Sequence, residues 1–273
     1  MKRFLILMAA LIGFSVASAA DAERKIGIVL LHGKLGASLG SSYGRSPIGV
    51  GLVAALQRAG YLVAAPEMCW SGRRNFDQTY TDCFHDVDVA VADLNAKGAA
   101  GIIVGGLSLG GNAAIGYGAT HSGLLGIIAL APADDPRQKA KRPEIAAVIA
   151  QAQDLMSKGK GDEPSWFDDI NTGPRGIYDM KLHTTARIYL SFFGPDSPAS
   201  IPDNIAKLTA PILWVAGDRD PTQKRGPEFA FNKAPANPLN RYVTVSASHL
   251  ETPDAAREPV LDWLSKLTKP VSN

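Results

Sequence analysis

An α/β architecture, a mostly parallel sheet with helices on both faces, is predicted by three observations. Six apolar runs rich in β-branched residues, at 25–31, 61–66, 101–107, 125–131, 211–217 and 241–247, alternate with stretches of helical periodicity. Two of them, Lys25 to Leu31 and Pro211 to Gly217, are nearly continuous in apolar residues, as strands covered on both faces must be. The third run ends in Gly106-Leu107-Ser108-Leu109-Gly110, a G-x-S-x-G turn followed at once by small, helix-compatible residues.

The intervening segments read as helices with one buried stripe each. Val87, Val91 and Leu94 fall at i, i+4 and i+7, and Val260, Trp263, Leu264 and Leu267 at i, i+3, i+4 and i+7. The alternation breaks between about 134 and 205, a span too long for a single crossover and without a run of strand quality. A helix is expected near Pro143 to Lys158, then a break at Gly159-Lys160-Gly161, then aromatics at Trp166, Phe167, Tyr178, Tyr189, Phe192 and Phe193. Two readings of this insertion stand. It is a helical lid over a ligand crevice at the carboxyl edge of the sheet, or a helical layer whose aromatics fill a small core of their own.

Residues 1–20 read as a secretory signal: Lys2 and Arg3, an apolar run from Phe4 to Val16, then the small residues Ala17-Ser18-Ala19-Ala20. A membrane anchor fits less well, because the apolar run is shorter than the ~20 residues a bilayer requires and no basic stop-transfer cluster follows. The expectation is a periplasmic or secreted product without a membrane span, starting near Asp21. Roughly 250 residues then remain, which suits one domain, 21–273, with the insertion inside it.

Of the 28 lysines and arginines, two lie in this leader, so the remainder balances the 26 acidic residues. Nothing electrostatic points to nucleic acid or an anionic membrane surface. Arg73-Arg74 and Lys139-Ala140-Lys141-Arg142 read as solvated charge. Cys69 and Cys83 are the only cysteines; in an exported chain an even count favours a disulfide, with two separate buried thiols as the alternative. No H-E-x-x-H or C-x-x-C indicates a metal, and neither G-x-G-x-x-G nor a P-loop indicates a nucleotide, so no cofactor is expected.

In the G-x-S-x-G turn the glycines let the backbone fold sharply and project the Ser108 hydroxyl. A serine needs a general base and a carboxylate to orient it. Among the histidines at 32, 85, 121, 183 and 249, only His249 follows the last strand-like run on a loop at the carboxyl edge, so it is the candidate base. The acid comes from Gly217-Asp218-Arg219-Asp220-Pro221. Asp220, farther out and stiffened by Pro221, is preferred to Asp218, which suits capping its own turn; Asp134-Asp135 is a third candidate. Two N–H donors must face the developing oxyanion. The Leu109 amide opens the helix behind the serine, and the Lys34 amide lies in the Gly-containing loop His32-Gly33-Lys34-Leu35-Gly36. His32 itself reads as a brace for that loop, and His85, His121 and His183 as surface or packing residues. Trp70 to Arg74 offers an aromatic wall and a cationic rim for a pocket, or an exposed loop pinned by Cys69.

With His32-Gly33 after a strand, G-x-S-x-G at 106–110, Gly217-x-x-Asp220 and then His249, nearly the whole chain beyond the leader resembles the α/β-hydrolase family. The resemblance implies about eight strands, an insertion after the sixth acting as a lid, a triad of Ser108, Asp220 and His249, and the amides of Lys34 and Leu109 as oxyanion donors. Residues 34–50 depart from the HGGG type of some lipases and esterases. The implied activity is hydrolysis of small-molecule or lipid-like acyl esters through an acyl-enzyme. Amide or thioester hydrolysis and acyl transfer are open to the same triad. A non-catalytic exported binding protein on this fold is the rival from another class, and the complete triad argues against it. Dehalogenase or epoxide hydrolase chemistry would place Asp where Ser108 stands.

Overall fold

All six strand-like runs form strands, and they assemble into one parallel sheet. The computed structural model describes residues 25–39, 48–173 and 176–267, with the backbone alone within 170–179; the 1–20 leader lies outside the described residues. In chain order the elements begin with β1 (Ile26–Leu31), α1 (Val50–Arg58), β2 (Leu62–Ala64), α2 (Phe84–Ala96), β3 (Gly101–Leu107), α3 (Leu109–Thr120) and β4 (Gly126–Leu130). The insertion follows, with α4 (Pro136–Lys139), α5 (Pro143–Ser157), β5 (Pro164–Gly173), β6 (Gly176–Thr185), α6 (Ala186–Phe193) and α7 (Ile201–Ile205). The chain then returns through β7 (Ile212–Gly217), β8 (Arg241–Val245), α8 (Thr252–Ala255) and α9 (Arg257–Leu267).

The sheet order is β2-β1-β3-β4-β7-β8, every pair parallel. Because side chains alternate across a strand, β1 feeds two cores. Ile28 and Leu30 pack with Leu52, Val53 and Leu56 of α1 and Val260, Trp263 and Leu264 of α9. Val29 and Leu31 pack with Val87 and Leu94 of α2, Ala113 and Ile115 of α3, and the insertion. Chain direction along the sheet reverses between β1 and β3. A crevice forms at the carboxyl ends of the strands at such a switch point, which is where the loop after β1 and the turn after β3 meet.

The insertion departs from expectation. Its helix is where the sequence puts it, but β5 and β6 form an antiparallel hairpin running from Pro164↔Thr185 to Gly173↔Gly176, where no strand was read. Six strands therefore build the main sheet and two stand apart, in place of about eight in one sheet; among the described strands the insertion follows the fourth, not the sixth. Phe167, Tyr189, Phe192 and Phe193 are buried and stack with one another and with Trp70, Phe76 and Tyr80, so these aromatics are part of a main core and not a separate small one. Trp166 is exposed, against His183. The side chain of Tyr178 lies outside the described set. Cys69 and Cys83 are bonded to each other. No described helix is long and apolar enough to cross a membrane.

Candidate active site

Ser108 sits between β3 and α3 with φ 58° and ψ −118°, a left-handed conformation that costs a residue with a Cβ roughly 1–3 kcal/mol. Its neighbours allow it. A Cβ on Gly106 would meet the carbonyl of Gly110 at 2.4 Å, and one on Gly110 the carbonyl oxygen of Leu31 at 2.3 Å, so only glycine closes this turn. The Ser108 amide donates to the Leu130 carbonyl (3.0 Å), and its carbonyl accepts from the amides of Asn112 (3.0 Å) and Ala133 (3.1 Å). Leu109 is the first residue of α3, where amides lack intrahelical acceptors and the helix dipole is positive.

Asp220 follows β7, and His249 lies in the turn between β8 and α8. β8 is three strands from β3, a lateral distance of about 14 Å, so its loop must reach back over the sheet edge. It does so at least to Asp220: Nδ1 of His249 lies 2.6 Å from Asp220 Oδ2. The other carboxylate oxygen accepts from the amide (2.9 Å) and hydroxyl (2.8 Å) of Thr222. Burial on its own would push the Asp220 carboxyl up, but the bonds from His249 and Thr222 outweigh it and hold the group below its ordinary value. An ionised carboxylate only accepts, so the hydrogen of this contact is on Nδ1. The Ser108 hydroxyl makes no hydrogen bond to His249 among the described residues; in unliganded sites this contact is often long and tightens on substrate.

The other acid candidates have different partners. Asp218 accepts from the Ala247 amide at 3.0 Å, tying the end of β7 to the loop after β8, where capping of its own turn was expected. Asp135 accepts from the amides of Gln138 and Ile201, both at 3.0 Å. Asp134 joins a buried group of four charges. Lys34 Nζ lies 2.5 Å from Asp169 Oδ2 and 3.3 Å from Asp134 Oδ1; Lys139 Nζ lies 2.7 Å from Asp169 Oδ1 and 3.0 Å from Asp134 Oδ1, over the Phe193 ring. Burial opposes charge on Lys139 and Asp169, but the opposite charges outweigh it, so the ammonium titrates above its usual range and the carboxyl below. Lys139 is therefore not the solvated charge expected from the sequence. Asp169 comes from the unforeseen hairpin, and its pairing with Lys34 could not be read from the chain.

The loop after β1 lies against Ser108: a Cβ on Gly33 would stand 3.4 Å from that of Ser108. His32 braces it as expected, accepting at Nε2 from the Met68 amide (3.1 Å) and donating from Nδ1 to the Gly33 carbonyl (2.8 Å), with burial lowering its pKa and keeping it neutral. Trp70 is fully buried and so is no pocket wall. Arg73 pairs with Glu67, and Arg74 with Asp77 and Asp86, so the expected cationic rim is neutralised. His121 stacks on Tyr117, and His85 is exposed. No described group of His, Cys, Asp and Glu is arranged to hold a metal.

A model of the alpha/beta hydrolase family matches residues 28–260. The chain belongs to this family. Solved structures agree on the fold of this α/β-hydrolase. A structure described with LipS and LipT, two metagenome-derived lipolytic enzymes, superposes with a TM-score of 0.60 at 19% identity, over 90% of this chain and 95% of the other. The monoacylglycerol lipase of Paleococcus ferrophilus gives 0.62 at 19% identity, over 89% and 95%. A thioesterase domain from the curacin biosynthetic pathway gives 0.56 at 14% identity, over 88% and 91%. No curated protein matches the chain in sequence.

Proposed function

We propose that this α/β-hydrolase is a serine hydrolase of acyl esters, with Ser108 as nucleophile, His249 as base, Asp220 as its orienting acid, and the amides of Lys34 and Leu109 as oxyanion donors. The observation that carries the reading is the 2.6 Å Asp220–His249 pair at the sheet edge where Ser108 occupies its left-handed turn. Ser108 Oγ bonds to the acyl carbon while its proton passes to His249 Nε2, and the carbonyl electrons move onto oxygen, where the two amides stabilise the charge. Collapse breaks the bond to the leaving alcohol, which takes the proton from His249. Water then repeats the sequence and releases the acid.

The lipolytic enzymes and esterases among the structural neighbours support an ester as substrate. The thioesterase neighbour keeps a thioester open. Contact between the hairpin's Asp169 and Lys34 supports the insertion as a wall over the acyl crevice. The 1–20 leader, with its expected cleavage, supports a substrate met outside the cytoplasm, and N-terminal sequencing of protein from the native host would read Asp21 or a near neighbour as the first residue. A fluorophosphonate probe is expected to label the wild type and not Ser108→Ala, and acyl esters of graded length to be hydrolysed only by the former. Equal labelling of both proteins would reject the assignment.

A further inference from the structure

The segment around Trp70 holds the loop after β1 at four points. The Met68 amide donates to His32 Nε2 (3.1 Å), the Trp70 indole Nε1 to the His32 carbonyl (3.0 Å), the Leu35 amide to the Trp70 carbonyl (2.9 Å), and the Gly72 amide to the Gly36 carbonyl (3.0 Å). Trp70 thus grips the chain on both sides of Lys34, through its side chain before it and its backbone after it. The gripped loop is under strain, with Leu35 at φ 53°, and it packs through Gly33 on Ser108. Left-handed non-glycine backbone persists only where its surroundings enforce it.

Residues 68–72 are themselves fixed from behind. The Cys69–Cys83 bond ties them to the start of α2, the Cys69 amide donates to Asp86 Oδ2 (3.0 Å), and the Cys69 carbonyl accepts from the Phe76 amide (2.9 Å). The indole stands edge-on to Phe192, which belongs to the insertion's aromatic layer. A polar anchor, a covalent anchor and an apolar wall therefore meet at one side chain, and its N–H points into the loop that faces the nucleophile.

We infer that Trp70, locked by the Cys69–Cys83 disulfide, is a positioning residue for the oxyanion loop, so that turnover more than substrate binding depends on the indole N–H and on the disulfide. Oxyanion donors act only if fixed before charge develops, and a displacement of about 1 Å can cost 10²-fold in rate. The inference rests on the serine-hydrolase reading above.

Its test is Trp70→Phe, which removes the N–H and keeps a ring, beside replacement of Trp70 by benzothienylalanine, which keeps the indole's shape with sulfur in place of N–H. A third sample is wild-type protein reduced with dithiothreitol, and all are measured at a temperature where circular dichroism shows them folded. The expected result is a fall in kcat of about 10- to 100-fold with KM within about twofold, and an equal loss of affinity for a trifluoromethyl ketone, whose adduct with Ser108 carries the oxyanion. Affinity for the product acid should not change. Folded samples with kcat within twofold of wild type, or with KM raised and kcat kept, overturn the inference. A wild type that neither turns over esters nor reacts with fluorophosphonate fails the parent reading instead; an active wild type with indifferent variants fails this one alone.

Discussion

The two flanks of Ser108 are built differently. On the side of the proposed oxyanion donors, His32 and Trp70 are buried and the loop after β1 is held by four hydrogen bonds to residues 68–72 and, through the Lys34 side chain, by Asp134 and Asp169. On the side of the proposed proton transfer, Asp220 is buried, but the His249 side chain is 22% exposed and Leu250 beside it 70%. The turn carrying His249 is secured from outside: Glu251 accepts from the Ser248 amide and hydroxyl and from Arg219, contacts that draw its carboxyl down to about 2. The difference suits the proposed mechanism, in which charge stabilisation tolerates no reorganisation, whereas an imidazole that takes a proton from a serine and gives it to a leaving group must adjust between the two. One flank is buried and bonded at several points; on the other, the His249 ring is bonded through Nδ1, with no hydrogen bond at Nε2 among the described residues.

Asp220→Asn attacks the contact that orients the His249 ring and carries the largest expected effect. With the ring tautomer no longer enforced, kcat on a short acyl ester should fall about 10⁴-fold with KM little changed. A loss under tenfold would show that His249 does not depend on Asp220 and would erase the contrast between the flanks.

Asp169→Asn tests the buried flank through stability. It removes one of the carboxylates against which Lys34 and Lys139 are buried, and removing one partner of such a group costs about 3–5 kcal/mol, read by urea unfolding at pH 7. The Asp169 carboxyl is held below its unfolded value, so its contribution is complete above about pH 4, where the unfolded carboxyl is also ionised. As pH falls further, the unfolded chain takes up the proton first, and the gap between variant and wild type should narrow. A gap that stays constant down to pH 2 would mean that the carboxylate charge is not what holds the hairpin to the oxyanion loop.

Thr222→Val should have the smallest effect, since it removes the hydroxyl bond to Asp220 and the one that hydroxyl accepts from Gln223 Nε2, and leaves the amide bond to Asp220 in place. A cost of about 1 kcal/mol in stability and a fewfold fall in kcat are expected. A fall comparable with that of Asp220→Asn would move the anchor of the proton-transfer flank from His249 to Thr222.

Much of this was legible in the chain. Strand positions followed from apolar runs, because a strand covered on both faces has no polar position to hide, and the Ser108 turn from two glycines whose missing Cβ atoms the structure requires. Of the two aspartates weighed after the strand ending at Gly217, Asp220 contacts His249 while Asp218 ties two strand ends. The hairpin at 164–185 was missed. Tyr178, Met180, Leu182 and Thr184 alternate with Ile177, Asp179, Lys181 and His183, and a Gly-Pro-Arg-Gly cluster at 173–176 marks a turn, a period-two signal masked by the charges at 168 and 169.

By itself the sequence determined which segments become strands, where the sharp turn lies, and the order in which an alcohol, a carboxylate and an imidazole reach the sheet's carboxyl edge. All of these are local consequences of residue size, polarity and period. Only the tertiary structure decided that Lys34 pairs with Asp169, that Lys139 is buried, and that Trp70 grips the loop beside Ser108. Those choices join residues far apart along the chain, and a charge or an indole N–H carries no local mark of the partner it will meet once the chain is packed.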